Sequence, residues 1–431
     1  MDNAIKFLLG ISIFCVNSFV FAQSIEGSSL NGHWIVEKLV EGENNIPIKN
    51  GGVQVFISGS RYVVLSQGTG IAVTAKILPQ TDATGTITLV PQAGGNIGKQ
   101  YSGYYEVKED RLSIIYLYAS EKLVPRDALD DEKIARQLFM RRSTTTSSLV
   151  NTPYYENSLG MKFNLVLPST FAMGAKIGEP SRLDETARRV TISQPYFLGI
   201  HEVTVGEFKK YLESAGDRTL AENEELPGGF STVLDGSNRW ITNANLRNPG
   251  FPQDESHPAV FISWIDAKAF CEWLSKKEGM KYRLPTEAEW ELAARAEGAS
   301  SYSWGMDPSG IYGNANFSDK SYSKAYPNRS SNFDYDDGYV HTAPVGSFQP
   351  NRLGFYDMHG NVFEWTEDYW SVPTSKVLVD PKGPAEGDQK IAKGGAFGSR
   401  VDEMRVGFRF RDDPRARFAG VGFRIVLDPN Q

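Results

Sequence analysis

The chain has 431 residues, with 45 lysines and arginines against 52 aspartates and glutamates, which gives a formal net charge of −7. This length predicts two or three domains, and the 40% hydrophobic and 23% charged residues are typical of a folded protein rather than a disordered chain. The mild acidity, with no segment dense in Lys and Arg, argues against a nucleic-acid binder. The two cysteines exclude a disulfide scaffold and a cysteine-based zinc module.

Residues 1–22 are typical of a secretory signal peptide. Lys6 precedes an apolar run over residues 7–21, and the run ends in small residues that suit cleavage after Ala22. The run is short for a membrane span, and a retained anchor is the alternative. Cleavage would remove one of the two cysteines, so we expect an exported, periplasmic or secreted protein with one thiol and no membrane span.

Residues 23–121 are predicted to form an antiparallel β-barrel or sandwich. Short runs alternate hydrophobic and polar residues between turns, as residues 53–57 do. The stretches at residues 30–36 and 103–112 resemble a lipocalin-like domain of exported bacterial proteins. The resemblance implies a barrel in which Trp34 packs at the floor, and a small apolar ligand inside it is the alternative.

Residues 122–152 are predicted to be a linker with a short helix. Residues 127–140 are charged and contain Ala and Leu, which favours a helix, and residues 141–148 are rich in Ser and Thr. A second unit over residues 153–431 follows.

Three helix starts are predicted in the second unit, at Thr204, Ser263 and Thr286. The two threonines are each followed three residues later by Glu, which is the pattern of a capping box. The helix that begins at Ser263 carries Cys271 on its apolar face, so this thiol is predicted to pack in the core. Beyond the third helix the chain is rich in Gly, Asn and aromatic residues, with few regular periods.

Four sequence blocks stand in order in the second unit, at residues 283–295, 353–366, 393–397 and 422–424. They resemble the formylglycine-generating enzyme (sulfatase-modifying factor) family over about residues 155–428. The resemblance implies a loop-rich fold related to the C-type lectin fold. With the preceding strands it predicts an α+β protein.

The same resemblance implies two structural calcium sites. One would use the side chains of Asn316 and Asp337 with the carbonyls of Phe317 and Tyr339, and the other the side chains of Asp357 and Glu364 with the carbonyls of Gly360 and Val362. All four side-chain positions carry an oxygen-bearing residue. The alternatives are a solvated turn at Asp337 and a hydrogen-bonded Glu364 in the core.

The positions that hold copper in the family carry no cysteine in this chain. The family binds copper(I) through two cysteines, four and nine residues after a Gly-Gly pair, and here those positions are Ser399 and Met404. A hydroxyl and a single thioether cannot replace two thiolates at a soft copper(I) ion. The small hydroxyl residue expected after the glycines is also replaced, by Ala396. We therefore expect neither copper nor formylglycine synthesis.

Iron is also unexpected, because the family's iron branch needs clustered histidines. The histidines of this chain are widely spaced, at positions His33, His201, His257, His341 and His359, although distant histidines can converge in space. His359 is predicted to be a hydrogen-bonded loop residue, with a ligand role beside Asp357 as the alternative. A further branch, periplasmic proteins that oxidatively mature a siderophore, lacks the copper cysteines and stays open.

A series of arginines near the end of the chain has two interpretations. The series is Arg405, Arg409, Arg411, Arg415 and Arg417, of which the first four would share one face of a strand. One interpretation is pairing with the neighbouring acids Asp402, Glu403, Asp412 and Asp413. The other is a groove for an anionic or peptide ligand, for which the resemblance implies Ala396, Ser399, Arg405 and Arg409.

Two functions follow from these observations. The first is an exported binding or structural module that presents a groove to a peptide, a glycan or a partner protein. The second is a metal-dependent oxidative enzyme that acts on a secreted small molecule or peptide.

Overall fold

The computed structural model describes residues 32–41, 44–47, 53–58, 61–66, 69–79, 84–91, 101–109, 111–117, 134–142, 154–175, 182–222, 225–233, 235–296, 298, 300–329, 333–373 and 377–429. The predicted signal peptide lies outside these residues. Strands are many and helices few, so the mixed α+β class is confirmed. No helix within these ranges is both long and apolar enough to cross a membrane.

The first unit is a sheet of nine antiparallel strands. They are β1 (Gly32–Glu41), β2 (Asn44–Pro47), β3 (Val53–Ser58), β4 (Arg61–Ser66), β5 (Thr69–Pro79), β6 (Thr84–Pro91), β7 (Tyr101–Lys108), β8 (Arg111–Leu117) and β9 (Ile134–Arg142). From β3 onward each strand pairs with the next, and β1 pairs with β2, β3 and β9. Trp34 is fully buried, as predicted. The likeness to lipocalins stays a prediction.

The helix predicted over residues 127–140 is wrong where it overlaps β9. Strand β9 (Ile134–Arg142) pairs with both β8 and β1, so the first unit extends to Arg142. The local composition favours a helix, but strand edges on both sides supply hydrogen-bonding partners along the whole segment. Tertiary pairing therefore overrides local propensity, and Met140 is buried on this strand. Residues 127–133 lie outside the described part of the chain.

The second unit contains four small sheets joined by long loops. Its strands are β10 (Tyr154–Glu156), β11 (Lys162–Val166), β12 (Ser169–Met173), β13 (Arg188–Ile192), β14 (Tyr196–Gly199), β15 (Gly229–Thr232), β16 (Asn238–Ile241), β17 (Lys281–Arg283), β18 (Phe363–Tyr369), β19 (Val377–Val379), β20 (Lys390–Lys393), β21 (Phe410–Asp412), β22 (Val421–Gly422) and β23 (Val426–Asp428). The sheets have the orders β10-β11-β14-β23-β17, β12-β13-β19, β15-β16 and β21-β20-β18-β22.

Four helices are described in the second unit. They are α1 (Val205–Ala215), α2 (Trp264–Glu278), α3 (Glu287–Arg295) and α4 (Lys320–Ala325). The three predicted helix starts are confirmed, because Thr204, Ser263 and Thr286 are N-caps that accept from the amide three residues later. These caps satisfy amides that the first helical turn leaves without a partner.

The core of the second unit packs helices against sheets through aromatic side chains. Phe208 of α1 stacks on Phe270 of α2, with ring centroids 5.5 Å apart, and both rings contact Phe423. Cys271 lies fully inside this cluster, so its prediction as a packing residue is confirmed. Burial raises the pKa of its thiol, which is therefore unreactive near neutral pH. Trp290 of α3 anchors the neighbouring cluster against the loop that leads into β18.

Candidate functional site

A buried ion pair lies where the loop of residues 353–362 enters β18. Both carboxylate oxygens of Glu364 accept from the guanidinium of Arg424, each at 2.6 Å, and Trp290 Nε1 donates to Oε2 at 2.7 Å. Arg424 also donates to the carbonyls of Gly199 and Tyr356. Glu364 and Arg424 are both 0% exposed. The oxygens of Glu364 are thus already bound to protein donors.

Beside this ion pair lie two further carboxyl groups, each with one oxygen that accepts no hydrogen bond. Asp357 Oδ2 accepts from the Gly346 amide at 2.7 Å, and Glu202 Oε1 accepts from Asn361 Nδ2 at 2.9 Å. The other oxygens, Asp357 Oδ1 and Glu202 Oε2, are buried without a hydrogen-bond partner. Burial raises the pKa of Asp357 to about 6, and burial together with the nearby Asp357 raises the pKa of Glu202 well above its usual range.

A third group of oxygens lies around Asn316 and Asp337. Asn316 Nδ2 donates to the His341 carbonyl at 2.8 Å, while its Oδ1 is buried with no partner. Asp337 Oδ1 accepts from the Tyr339 amide at 2.8 Å, while its Oδ2 is buried with no partner. Burial, helped by the charge of Asp319, raises the pKa of Asp337 to about 7.

Asn361 joins the two groups. Its amide donates to the Asn316 carbonyl at 2.9 Å, and its side-chain oxygen accepts from Asn316 Nδ2 at 3.3 Å. Gly360 allows this approach, because its φ is +79° and an added Cβ would lie 2.0 Å from the Asn316 carbonyl oxygen. The two predicted calcium sites are therefore neighbours across one backbone contact.

The donor set fits a hard cation. Four buried oxygens without hydrogen bonds, on Asn316, Asp337, Asp357 and Glu202, are what a cation bound by oxygen ligands would engage. The sequence did not indicate Glu202 as a ligand. Glu364, which was predicted as a calcium ligand, has no oxygen free of hydrogen bonds. Among the described side chains no three His, Cys, Asp or Glu form a ready-made metal group. Each site would therefore also need amide or carbonyl oxygens.

The copper positions of the family are buried and occupied by protein contacts. Ser399 Oγ accepts from the Ala396 amide at 3.1 Å, and Ser399 is 4% exposed. Met404 is 0% exposed and packs among aromatic rings, including Tyr302 and Phe317. An added Cβ on Gly395 would lie 2.5 Å from Met404 Cγ, and Ser399 Oγ bonds the amide of the next residue, Ala396, so the two side chains flank the same turn.

The four histidines whose side chains are described are separate from one another. His359 has both ring nitrogens bonded, Nδ1 to the Met404 carbonyl at 2.8 Å and Nε2 to the Ser303 amide at 3.0 Å. This fixes a neutral ring, and burial lowers its pKa to about 4. His201, His257 and His341 contact Tyr356, Thr342 and Tyr326, respectively. His359 is therefore a hydrogen-bonded loop residue, as predicted.

Arg405 and Arg409 of the series pair with acids far away in sequence rather than with their neighbours. Arg405 bonds Glu185 at 3.1 Å, and Arg409 contacts Glu287 at 2.8 Å. The predicted pairing with Asp402, Glu403, Asp412 and Asp413 is therefore wrong for Arg405 and Arg409. A buried charge needs a buried counter-charge, and the neighbouring acids do not supply one. The four groove candidates Ala396, Ser399, Arg405 and Arg409 are all buried.

A ladder of five aromatic rings, here called the aromatic strip, runs beside these arginines. Successive centroids in the order Phe363, Phe410, Phe418, Phe230 and Trp240 lie 4.9, 5.6, 5.5 and 5.2 Å apart. Phe230 is 37% exposed. Near the strip, Arg411 lies 3.6 Å from the Trp370 ring centroid, and its side chain is 37% exposed. One ring of the strip, Phe410, lies on β21, which is an edge strand of its sheet.

The fold and these motifs define a protein of the formylglycine-generating enzyme type without the copper cysteines. Residues 156–429 match the sulfatase-modifying factor enzyme 1-like domain, and the chain belongs to that family.

Two curated relatives and one solved structure illustrate the similarity. Formylglycine-generating enzyme from Mus musculus is 32% identical over 268 residues, which cover 56% of this chain and 68% of that protein. The enzyme of the same name from Thermomonospora curvata is 31% identical, with 60% of this chain and 91% of that protein covered. The structure of PvdO from Pseudomonas aeruginosa superposes with a TM-score of 0.50 at 27% identity, covering 64% of this chain and 97% of that chain.

Proposed function

We propose that this protein is an exported binding or structural module. It would have the fold of the formylglycine-generating enzyme family but not the copper chemistry. The observation that carries the proposal is the state of the copper positions. Ser399 and Met404 are buried in contacts within the protein, and the sole cysteine of the second unit is buried in the core on α2. Soft copper(I) would find no thiolate pair here.

The aromatic strip is the surface on which we place the partner. Phe230 is exposed and its neighbours in the strip are partly exposed, except for the buried Phe363, and β21 offers the main-chain groups of an edge strand. An extended peptide can add to such an edge and place alternate side chains against the rings. The half-exposed guanidinium of Arg411 favours a peptide with acidic side chains over a glycan.

Calcium has a structural role in this proposal. Asn316 and Asp337 would hold one ion, with nearby carbonyl oxygens, and Asp357 with Glu202 would hold the other. When bound, calcium would neutralise these buried carboxylates and link loops that lack regular hydrogen bonds. Calcium should therefore raise the thermal midpoint of the chelated protein. An unchanged midpoint across a calcium titration would contradict this role.

The alternative is a metal-dependent oxidative enzyme that acts on a secreted small molecule or peptide. Elemental analysis of the purified mature protein separates the two functions. Calcium without copper or iron is expected, and stoichiometric copper or iron would defeat the proposal.

Copper repair tests the assignment of the two positions. Ser399→Cys with Met404→Cys should gain copper(I) binding, because both side chains flank the turn at Gly395 and two thiolates suit that ion. Each single variant is the control and should bind much more weakly. A double variant that folds but binds no copper(I) would show that these are not the family's copper positions.

Peptide binding tests the surface. Peptides selected from a random display library should lose about tenfold or more in affinity when Phe230→Ala removes an exposed ring of the strip. Tyr312→Ala is the matched control, because Tyr312 is 42% exposed and stacks on Tyr335 away from the strip. Equal effects of the two variants would exclude the strip as the binding surface.

A further inference from the structure

Asp319 lies against the proposed site at Asn316 and Asp337 but belongs to none of the predicted ligands. It is 0% exposed, and its two oxygens accept from different backbone amides. Oδ1 accepts from Tyr322 at 3.1 Å and thereby caps α4, and Oδ2 accepts from the Asp337 amide at 2.5 Å. The bond from the Asp337 amide sets the two carboxyl groups side by side, and the charge of Asp319 helps to raise the pKa of Asp337.

The contact between Asp319 and Asp337 carries negative charge without a positive partner. The nearby lysines, Lys320 and Lys324, form exposed ion pairs with Asp334 and Asp336 instead. Within the part of the chain that the structure describes, no Lys or Arg pairs with Asp319 or Asp337. Two neighbouring carboxyl groups in a buried place need either a proton on one of them or a cation between them.

A neutral oxygen points to a cation rather than to a shared proton. Asn316 is 0% exposed and its Oδ1 has no hydrogen-bond donor, as is also true of Asp337 Oδ2. Asn316 stands three positions before Asp319, and Asp319 accepts from the Asp337 amide, so these oxygens belong to one small region. A proton between the carboxylates would leave the Asn316 oxygen unsatisfied, whereas a hard cation can take all three groups as ligands.

We infer that Asp319 is a further carboxylate ligand of the cation site formed by Asn316 and Asp337, which then takes Ca²⁺ with two acidic side chains rather than one. This inference rests on the proposed calcium site and adds to it a residue that the family resemblance does not include. A second carboxylate raises the affinity of an oxygen site for a hard cation.

The same segment connects the site to the loop of Ser399. The amide of Ser318, which lies between Asn316 and Asp319, donates to the Ser399 carbonyl at 3.1 Å. A cation that fixes residues 316–319 therefore also fixes the backbone at the former copper position. In this chain the loop of Ser399 is therefore held by the cation at residues 316–319 rather than by a metal bound to Ser399 and Met404.

Terbium luminescence, sensitised by the tyrosines near the site, measures occupancy directly, and calcium competition gives the calcium affinity. All variants are made in an Asp357→Asn background, which removes the second site. Asn tolerates the left-handed backbone of Asp357, whose φ is +56°. We expect Asp319→Asn to weaken terbium and calcium binding about tenfold or more.

The substitution keeps the cap of α4, because Asn is as good an N-cap as Asp, and it replaces the oxygen that accepts from the Asp337 amide. Asp307→Asn is the matched control, because Asp307 is exposed and caps a short 3-10 helix through the Ser309 amide at 2.8 Å. It should leave terbium affinity unchanged.

If Asp337→Asn abolishes binding while Asp319→Asn does not weaken it, Asp319 is only a cap and the inference is overturned, although the calcium site stands. If the starting protein binds no terbium, the calcium proposal itself fails.

Discussion

At the scale of single residues, Arg424 holds the centre of the second unit together. Its guanidinium neutralises Glu364 and bonds carbonyls from two other segments, all within the buried interior. Removing one member of a buried pair leaves the other charge without compensation, which costs far more than losing an exposed pair.

Arg424→Met should therefore lower the free energy of unfolding by about 3–5 kcal/mol. Urea unfolding with an unchanged m-value is the measurement. Arg239→Ala is the control, because its pair with Asp235 has side chains 62% and 47% exposed, and such exposed pairs contribute about 0–1 kcal/mol. Similar losses for the two variants would contradict the role of burial.

Asp368 is a second residue whose environment makes a measurable prediction. Burial, with the charge of Glu287, raises its pKa to about 8, and its Oδ2 accepts from the Glu287 amide at 2.7 Å. A raised pKa means that the folded state holds the proton more tightly than the unfolded chain. Below about pH 4 the carboxyl is protonated in both states and its titration does not change the free energy of unfolding. As the pH rises towards 8, the free energy of unfolding falls progressively, because only the unfolded chain releases the proton readily.

Asp368→Asn keeps the acceptor for the Glu287 amide and removes the titration. The stability of the variant relative to the starting protein should rise between pH 4 and pH 8, by a few kcal/mol at the upper end. Denaturant unfolding at several pH values measures the difference. A difference that does not change with pH would show that the Asp368 carboxyl ionises as it does in the unfolded chain.

At the scale of elements, helix α3 shows how a local signal sets a boundary. Thr286 Oγ accepts from the Glu289 amide at 3.2 Å, and Glu289 Oε2 accepts from the Thr286 amide at 2.8 Å. Glu289 also pairs with Arg283 at 2.7 Å, which ties the helix start to β17. The capping box therefore both starts the helix and holds that start against β17.

Thr286→Ala should lower the free energy of unfolding by about 1 kcal/mol, because the Glu289 amide loses its acceptor. Thr286→Ser keeps the hydroxyl and should lose clearly less. Thermal unfolding monitored by near-ultraviolet circular dichroism measures both. Equal losses for Ala and Ser would assign the effect to the missing methyl group rather than to the cap.

At the scale of the whole molecule, the four described cores of the second unit contain no residue of the first. They extend from Met161 to Leu427 and include both helix-packed clusters and the rings around Met404. A unit with its own cores can fold by itself.

A fragment of residues 153–431 should therefore unfold cooperatively. Its thermal transition should match one of the transitions of the full chain, and it should bind terbium with the same affinity. Calorimetry of the fragment and the full chain tests this, with Trp290→Ala in the fragment as a control that should abolish the transition. A fragment with helical signal but no cooperative transition would show that the first unit is needed.

Sequence patterns predicted correctly the structural features that depend on residues close together in the chain. The capping boxes at Thr204 and Thr286, the burial of Cys271 on its helix face and the short strands with alternating residues all depend on contacts within one or two turns or strands. The segment at Ile134–Arg142 shows the limit, because its composition favours a helix and two distant strands make it β9.

The sequence by itself determined the family of the second unit and the absence of a thiolate pair at Ser399 and Met404, because both follow from residue identity and spacing. Only the tertiary structure decided which acids neutralise Arg405 and Arg409, and which oxygens remain without a donor. In the tertiary structure Glu202 lies near Asp357, 155 positions away in the chain, and Asp319 lies near Asp337, 18 positions away. Charge compensation in a buried site depends on distance in space, and sequence separation does not report that distance.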